Sequence, residues 1–303
     1  MLVSKSSIAG RIFGLLVFMQ MAIVVTGGAV RITGSGLGCP TWPECTPGSY
    51  TPVPNQAEGQ VHAWIEFGNR LLTFVLLLGA LIALVIAIRV SKHAVTKNRI
   101  RLLAALQLIG ILGQGVLGGI TVLTDLHPIP VASHFLLSVF LIAGAISLRY
   151  EMVGIVRQKA DGIVATLMPV LIWLTLFVIV AGTIVTGSGP HAGDEQARRF
   201  GFDIRTVAIL HADAVIALFG LTLALAVALR TNKIILKKIY IFTLIALAQG
   251  AIGYIQYFTG IPEILVAAHL LGATLVWIAA WRIRLMFITS STNHRKLKAG
   301  GHP

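Results

Sequence analysis

Residues 114–134, QGVLGGITVLTDLHPIPVASH, recur without a gap as residues 249–269, QGAIGYIQYFTGIPEILVAAH. Nine of the 21 positions are identical: Gln114/Gln249, Gly115/Gly250, Gly118/Gly253, Ile120/Ile255, Thr124/Thr259, Ile129/Ile264, Val131/Val266, Ala132/Ala267 and His134/His269. A second echo links Thr33-Gly34-Ser35-Gly36 to Thr186-Gly187-Ser188-Gly189. The chain therefore reads as two tandem halves, 1–160 and 161–303, and a histidine is among the residues both halves keep.

The surroundings of the repeat fix its medium. The chain is 56% hydrophobic and 12% charged, with mean hydropathy +0.87. Apolar runs long enough to cross a bilayer recur near 12–32, 62–88, 102–123, 130–148, 164–186, 205–229, 236–258 and 263–286. The expectation is an all-α membrane protein with eight transmembrane helices in two four-helix bundles. Four spans per half is an even number, so the halves share one orientation, related by an axis along the membrane normal.

With both termini cytoplasmic, 19 of the 24 basic residues fall in inner tails and loops, against Glu151 and Asp161 as the only inner acids. That asymmetry is the positive-inside pattern. The net charge of +13 is thus a topology signal, and the dispersal of these residues over short loops argues against nucleic-acid binding. No cleavable signal precedes the first span, so residues 1–11 read as a cytoplasmic tail.

In this topology four helices running from the outer to the inner face carry His62, His134, His211 and His269. His134 lies four residues after Pro130 and His269 seven after Pro262, roughly 6–10 Å inside their helices at about 1.5 Å per residue. His211, six residues past Arg205, falls in the same layer, and His62 lies nearer the surface. Ionisable groups in a bilayer are costly, so a shared ligand is expected, and haem iron suits opposed imidazoles between helices better than zinc, which wants three or four clustered ligands. His93, His294 and His302 lie in inner loops or the tail, and His127 and His191 in outer loops.

The first half carries groups that the second lacks. His62, Glu66 and Asn69 or Arg70 share one helical face. When Asn69 is aligned with His211, no acid stands in the second half where Glu66 stands in the first. Glu66 reads either as an intrahelical ion pair with Arg70 or as a functional acid facing the bundle interior. Cys39 and Cys45, the only cysteines, lie in the first outer loop, where they can close a structural disulfide or serve as a redox pair. The equivalent loop, 190–203, reads as a polar, charged surface segment.

Together these residues resemble the bacterial haem A synthase family over nearly the whole chain: eight spans in two halves, the Thr-Gly-Ser-Gly segment, the cysteine pair, the acid of span two and histidines on the even helices. The resemblance implies haem b between His211 and His269 in the second half. It implies haem O as substrate in the first half on His134, with a ring methyl oxidised to a formyl to give haem A, and Glu66 as the catalytic acid. It further implies a multi-pass plasma-membrane location, contact with haem O synthase and the oxidase assembly machinery, and an electron partner of unspecified kind. Where many members have His-Arg three residues after the acid, this chain has Asn69-Arg70. Either His62 supplies the missing ligand, or the substrate iron is five-coordinate with Asn69 on its open face. A di-haem electron-transfer cytochrome would explain the histidines but not Glu66 or the cysteine loop. A transporter would call for helix breaks near the midplane, whereas Pro128, Pro130, Pro169 and Pro262 fall at span ends.

Overall fold

A computed structural model of the chain describes residues 2–92, 94, 96–153 and 157–288, with side chains from residue 8 onward. His93, His294, His302, Arg295, Lys296 and Lys298 lie outside these residues, as does the side chain of Lys5. Among the described residues there are eight helices: α1 (Leu2–Ile32), α2 (Gln60–Val90), α3 (Lys97–Leu123), α4 (Pro128–Val153), α5 (Ile163–Ser188), α6 (Ile204–Ala228), α7 (Lys233–Phe258) and α8 (Glu263–Leu285). All eight are long and apolar enough to cross a membrane, and the chain is a multi-pass membrane protein.

Each expected span coincides with one helix. The α1 helix begins ten residues before its apolar stretch, and at their basic ends α3 begins five residues early and α4 ends five residues late. There the intrahelical hydrogen bonds persist after the apolar run stops, and long side chains reach the interface. Asn232 caps α7 by accepting from the Ile235 amide at 3.2 Å. Asp203 caps α6, accepting from the Thr206 amide at 2.8 Å and its hydroxyl at 2.6 Å. These bonds hold the Asp203 carboxyl below its ordinary range, so the cap is complete above that range and is lost as pH falls through the lowered value. Pro169 does not end a span: it is the seventh residue of α5, and the helix continues through it. Pro128 and Pro130 occupy the first turn of α4, where a missing amide proton costs nothing.

Two rings of helices result. In the first, α1 and α3 both pack on α2 and on α4; in the second, α5 and α7 both pack on α6 and on α8. Each ring has its own apolar core, with Phe13, Leu16, Ile100 and Leu148 in the first and Leu171, Leu225, Ile235 and Phe242 in the second. A third cluster joins them through Val139, Ile142, Ile146, Ile179 and Trp277. Across this seam the Trp277 indole donates to the Val139 carbonyl at 2.8 Å, and Trp281 donates to the Ser147 hydroxyl at 2.8 Å. In lipid, where burial of apolar surface drives no association, close fit and hydrogen bonds of this kind hold helices together. On the loop side a two-residue parallel pair, β1 (Gln158–Lys159) with β2 (Phe287–Ile288), ties the linker between the halves to the end of α8.

The 190–203 loop departs from the sequence expectation. It is not a free surface segment: Ala192 and Ala197 are buried against Leu126 of the first half, and the Gly36 amide donates to the Gly193 carbonyl at 2.8 Å. Arg31, at the end of α1, donates to the Thr186 carbonyl at 2.8 Å and to the His191 carbonyl. A cation on the last carbonyls of α5 complements that helix's terminal dipole. His191 Nε2 in turn lies 2.7 Å from the Ile261 carbonyl, linking the loop to the α7–α8 turn.

Trp277 is the largest fully buried side chain. Replacing it with Ala should destabilise the protein by about 3–5 kcal/mol, and Trp281→Phe, which removes one hydrogen bond, by about 0.5–1 kcal/mol, as read by equilibrium denaturation in detergent.

Candidate functional site

The repeated glutamine, glycine and histidine do the same thing in both rings. Gln114 donates from Nε2 to the His134 carbonyl at 3.1 Å, and Gln249 to the His269 carbonyl at 2.7 Å. A side-chain donor on a carbonyl already used by the helix locks the histidine's backbone to the neighbouring helix. A glycine one turn after each glutamine faces the ring, tightly in the second half and at ordinary contact distance in the first. A methyl group at Gly118 would stand 3.6 Å from His134 Nε2, and one at Gly253 would stand 3.0 Å from His269 Cε1.

The other pair of helices follows the same rule. Gly182 of α5 faces the His211 ring, with 3.3 Å from an added methyl to Cε1, and Gly27 of α1 faces Asn69 at 3.8 Å. Each odd helix thus presents a glycine to one polar residue of the following even helix: Asn69, His134, His211 and His269. By this criterion Asn69, not His62, occupies the histidine position in the first ring.

In the second ring His211 and His269 face one another with ring centroids 6.5 Å apart and planes inclined by 66°. Two imidazoles binding one metal from opposite sides are separated by two bonds of about 2 Å plus the inner half of each ring, roughly 6 Å in all. Nδ1 of each ring is buried without a hydrogen-bond partner. Buried polar atoms are ordinarily satisfied, and metal-bound histidines use the second nitrogen to hold tautomer and orientation. This geometry fits a pair of axial ligands. Among the described residues no three His, Cys, Asp or Glu side chains come together as a metal cluster.

The first ring is built differently. The Asn69 carbonyl oxygen accepts from the Thr26 hydroxyl at 2.8 Å, which leaves its amide N–H groups as donors. Glu66 is buried, and both carboxylate oxygens are engaged. One accepts from the Cys39 amide at 2.7 Å; the other accepts from Arg70 Nε at 3.0 Å and Nη2 at 2.5 Å. Arg70 donates further to the carbonyls of Cys39 at 2.7 Å, Thr41 at 3.1 Å and Glu44 at 3.1 Å. The acid and the arginine are therefore the post on which the first loop is hung.

Cys39 and Cys45 form a disulfide within that loop, with Cα atoms 4.3 Å apart and both residues fully buried. Gly38 lies directly against the His62–Ala63 backbone, where a methyl group would stand 2.8 Å from the Ala63 amide nitrogen, so only glycine brings Cys39 onto Glu66. The Trp42 ring covers Gly119 of α3, which spreads the loop across the ring of helices as a cap. His62 is exposed at the start of α2, one turn from Glu66, with Nδ1 2.9 Å from the buried Ser35 hydroxyl. His127 lies at the start of α4, its Nδ1 accepting from the Ile129 amide at 3.3 Å. Sequence reading passed over Gln114 and Gln249 as site residues, although they begin the repeated stretch, and it passed over the four glycines and Thr26.

The sequence profile of the COX15-CtaA family, described as cytochrome oxidase assembly protein, matches residues 10–281. The chain belongs to this family. Among its relatives is a haem A synthase of Azorhizobium caulinodans, 27% identical over 332 aligned residues that cover 91% of this chain and 92% of that protein. A haem A synthase of Geobacillus thermodenitrificans is 31% identical over 116 residues, 38% of this chain, and the match spans about a third (33%) of that relative's length. One from Lysinibacillus sphaericus is 30% identical over 179 residues, covering 58% of this chain and 55% of the relative. For a COX15-CtaA member, the cap held by Glu66 and Arg70 is the feature most open to direct test. Arg70→Ala should leave the eight helices intact by circular dichroism, yet speed reduction of the Cys39–Cys45 disulfide by dithiothreitol by roughly tenfold or more, read by maleimide labelling, because loop opening no longer breaks charge-assisted bonds.

Proposed function

We propose that this protein is a haem A synthase of a bacterial plasma membrane, with both termini cytoplasmic, converting a ring methyl of haem O into the formyl of haem A. The observation that carries this reading is the unequal furnishing of two repeated rings in a chain whose relatives are haem A synthases. One ring has two facing histidines; the other has one histidine, an asparagine donor and a buried acid.

In this reading residues 161–303 are the cofactor half. His211 and His269 hold haem b, and Gln249 fixes the backbone of His269. Bound haem supplies the one-electron transfer that no side chain can perform. Residues 1–160 are the substrate half, where His134, fixed by Gln114, binds haem O. Asn69, its oxygen bonded to Thr26, would offer haem O amide N–H donors where an imidazole would offer a metal-binding nitrogen. A methyl carbon has no leaving group, so its oxidation releases protons, and Glu66 is the acceptor within the ring. Arg70 holds that carboxylate in place through its ion pair. The loop 39–45, closed by the disulfide, excludes bulk water from above. An electron partner, haem O synthase and the oxidase assembly machinery are the expected associates.

The two halves separate under substitution. His211→Ala or His269→Ala should abolish a low-spin bis-histidine spectrum in the purified protein, while His191→Ala leaves it unchanged; survival of that spectrum in both single variants removes the ligand assignment. Asn69→His should move the substrate haem toward low spin, and His62→Ala should not disturb it. If His62→Ala abolishes haem O binding as completely as His134→Ala, His62 is the ligand.

Glu66→Gln tests the acid apart from its anchoring role. The amide oxygen still accepts from the Cys39 amide and Arg70 keeps its bonds to the Cys39, Thr41 and Glu44 carbonyls, which hold the cap closed, but no carboxylate remains to take a proton. The expected outcome is an intact haem b spectrum and unaltered disulfide protection, with conversion of haem O to haem A reduced by 100-fold or more, on the order of general-base losses. Full conversion by this variant would make Glu66 an anchor alone. Two haem b per chain, with no haem O or haem A in the extracted pigment, would favour a di-haem electron-transfer cytochrome.

A further inference from the structure

At the end of the bundle away from the disulfide loop, three guanidinium groups from separate segments converge around one carboxylate. Glu151, near the end of α4, has only 5% of its side chain exposed; its Oε1 lies 3.3 Å from Arg99 Nε of α3 and accepts from Arg157 Nη2 of the linker between the halves. The third cation is Arg284 of α8. Its Nη1 donates to the Phe287 carbonyl at 3.4 Å, and Phe287 pairs in register with Gln158, the residue after Arg157. Arg284 is thereby close enough to Arg99 and Arg157 for their charges to act on it. Among the described residues no carboxylate pairs with it.

The chain has no further acidic side chain with which to complete this cluster. Of its 11 acidic residues, only Glu151 and Asp161 fall at this end of the helices, and Asp161 is exposed and paired with Lys159 at 3.1 Å. Three guanidiniums against one carboxylate leave two positive charges in excess. Like charges held together disfavour one another, and an anion from outside removes that cost. Arg89 and Lys237, at other helix ends of the same face, are exposed and dispersed, as the charge bias of membrane proteins requires. The three arginines differ because the fold gathers them, at the junction of α3, α4, the linker and α8.

We propose that Arg99, Arg157 and Arg284 form a binding site for the phosphodiester of an anionic phospholipid. A planar guanidinium presents paired N–H donors that match two phosphate oxygens, and the excess of positive charge selects a lipid whose phosphate is not neutralised by its own headgroup. Position selects a lipid over a free anion. The ends of spanning helices lie at headgroup depth, where basic pockets between helices hold acidic lipids. Val153 at the end of α4, Ile163 at the start of α5 and Ile288 of β2 are exposed apolar side chains of the same segments, a surface that acyl chains can cover and inorganic phosphate cannot. The site stands apart from both histidine rings.

The test uses the full chain, purified in a non-ionic detergent and titrated with phosphatidylglycerol in mixed micelles. The thermal unfolding midpoint should rise and saturate, because a ligand held only by the folded state stabilises it. Phosphatidylcholine at the same mole fraction, and inorganic phosphate at millimolar concentration, should leave the midpoint where it was. Arg284→Gln breaks neither ion pair of Glu151, and it should raise the phosphatidylglycerol concentration needed for half the response about tenfold, the scale of one charge-assisted hydrogen bond. Arg89→Gln, which removes the same charge from another helix end, should leave that concentration unchanged. No response to phosphatidylglycerol overturns the proposal, as does an equal response to phosphatidylcholine or to inorganic phosphate. A loss in Arg89→Gln as large as in Arg284→Gln also overturns it. Should Arg284→Gln fail to fold, Arg99→Gln, which leaves Glu151 paired with Arg157, takes its place with the same expected loss.

Discussion

Hydrocarbon offers no water to complete a polar group, and that one constraint organises the molecule. Many polar side chains in the spans find their partner in the protein. Gln20 and Gln107, both buried, pair with each other and with the Leu141 carbonyl, stitching α1, α3 and α4. Gln114 and Gln249 bind the carbonyls of the repeated histidines. Among the described residues five buried side-chain atoms lack a partner: Oε1 of Gln114, Gln249 and Gln256, and Nδ1 of His211 and His269. The two Nδ1 atoms stand on facing rings, and that placement supports the ligand site proposed for them.

The same constraint explains why the two rings can differ without losing their common frame. The frame is the glycine opposite each polar position, set by backbone approach and indifferent to whether the partner is histidine or asparagine. At the second position of the first ring the imidazole is replaced by an amide whose oxygen is already used by Thr26. A ring that would close on both faces is left with one strong ligand and one donor. In the proposed division of labour, a closed ring suits electron transfer and an open one suits a substrate that must enter, react and leave.

The first loop, closed by the Cys39–Cys45 disulfide, is hung on the buried acid of this ring. Arg70 reaches the Glu66 carboxylate through Nε and Nη2 and three loop carbonyls through Nη1 and Nη2, a geometry that the planar guanidinium provides and an ammonium does not. Opening the loop therefore alters the surroundings of the acid. Between the halves, Arg31 and the 190–203 loop make a second such bridge, so neither ring's loops are independent of the other half.

Much of this was legible in the residues alone. Eight spans, their grouping in fours and the histidine layer follow from apolar run lengths and a repeat without gaps, because membrane helices obey local rules of length and hydropathy. The Cys39–Cys45 disulfide was legible as one of two options, since a short separation limits the pairing but not its use. What the sequence could not give was contact between residues far apart in the chain: Cys39 with Glu66, Thr26 with Asn69, Arg31 with His191 and Trp277 with Val139. It misjudged the 190–203 loop for this reason, since composition reports polarity but not what a loop lies against. Which sides of the helices face inward was likewise undetermined, because helices apolar all round carry almost no facing signal. Only the packed rings separate His211 from Asp213, two residues apart and on opposite sides of α6.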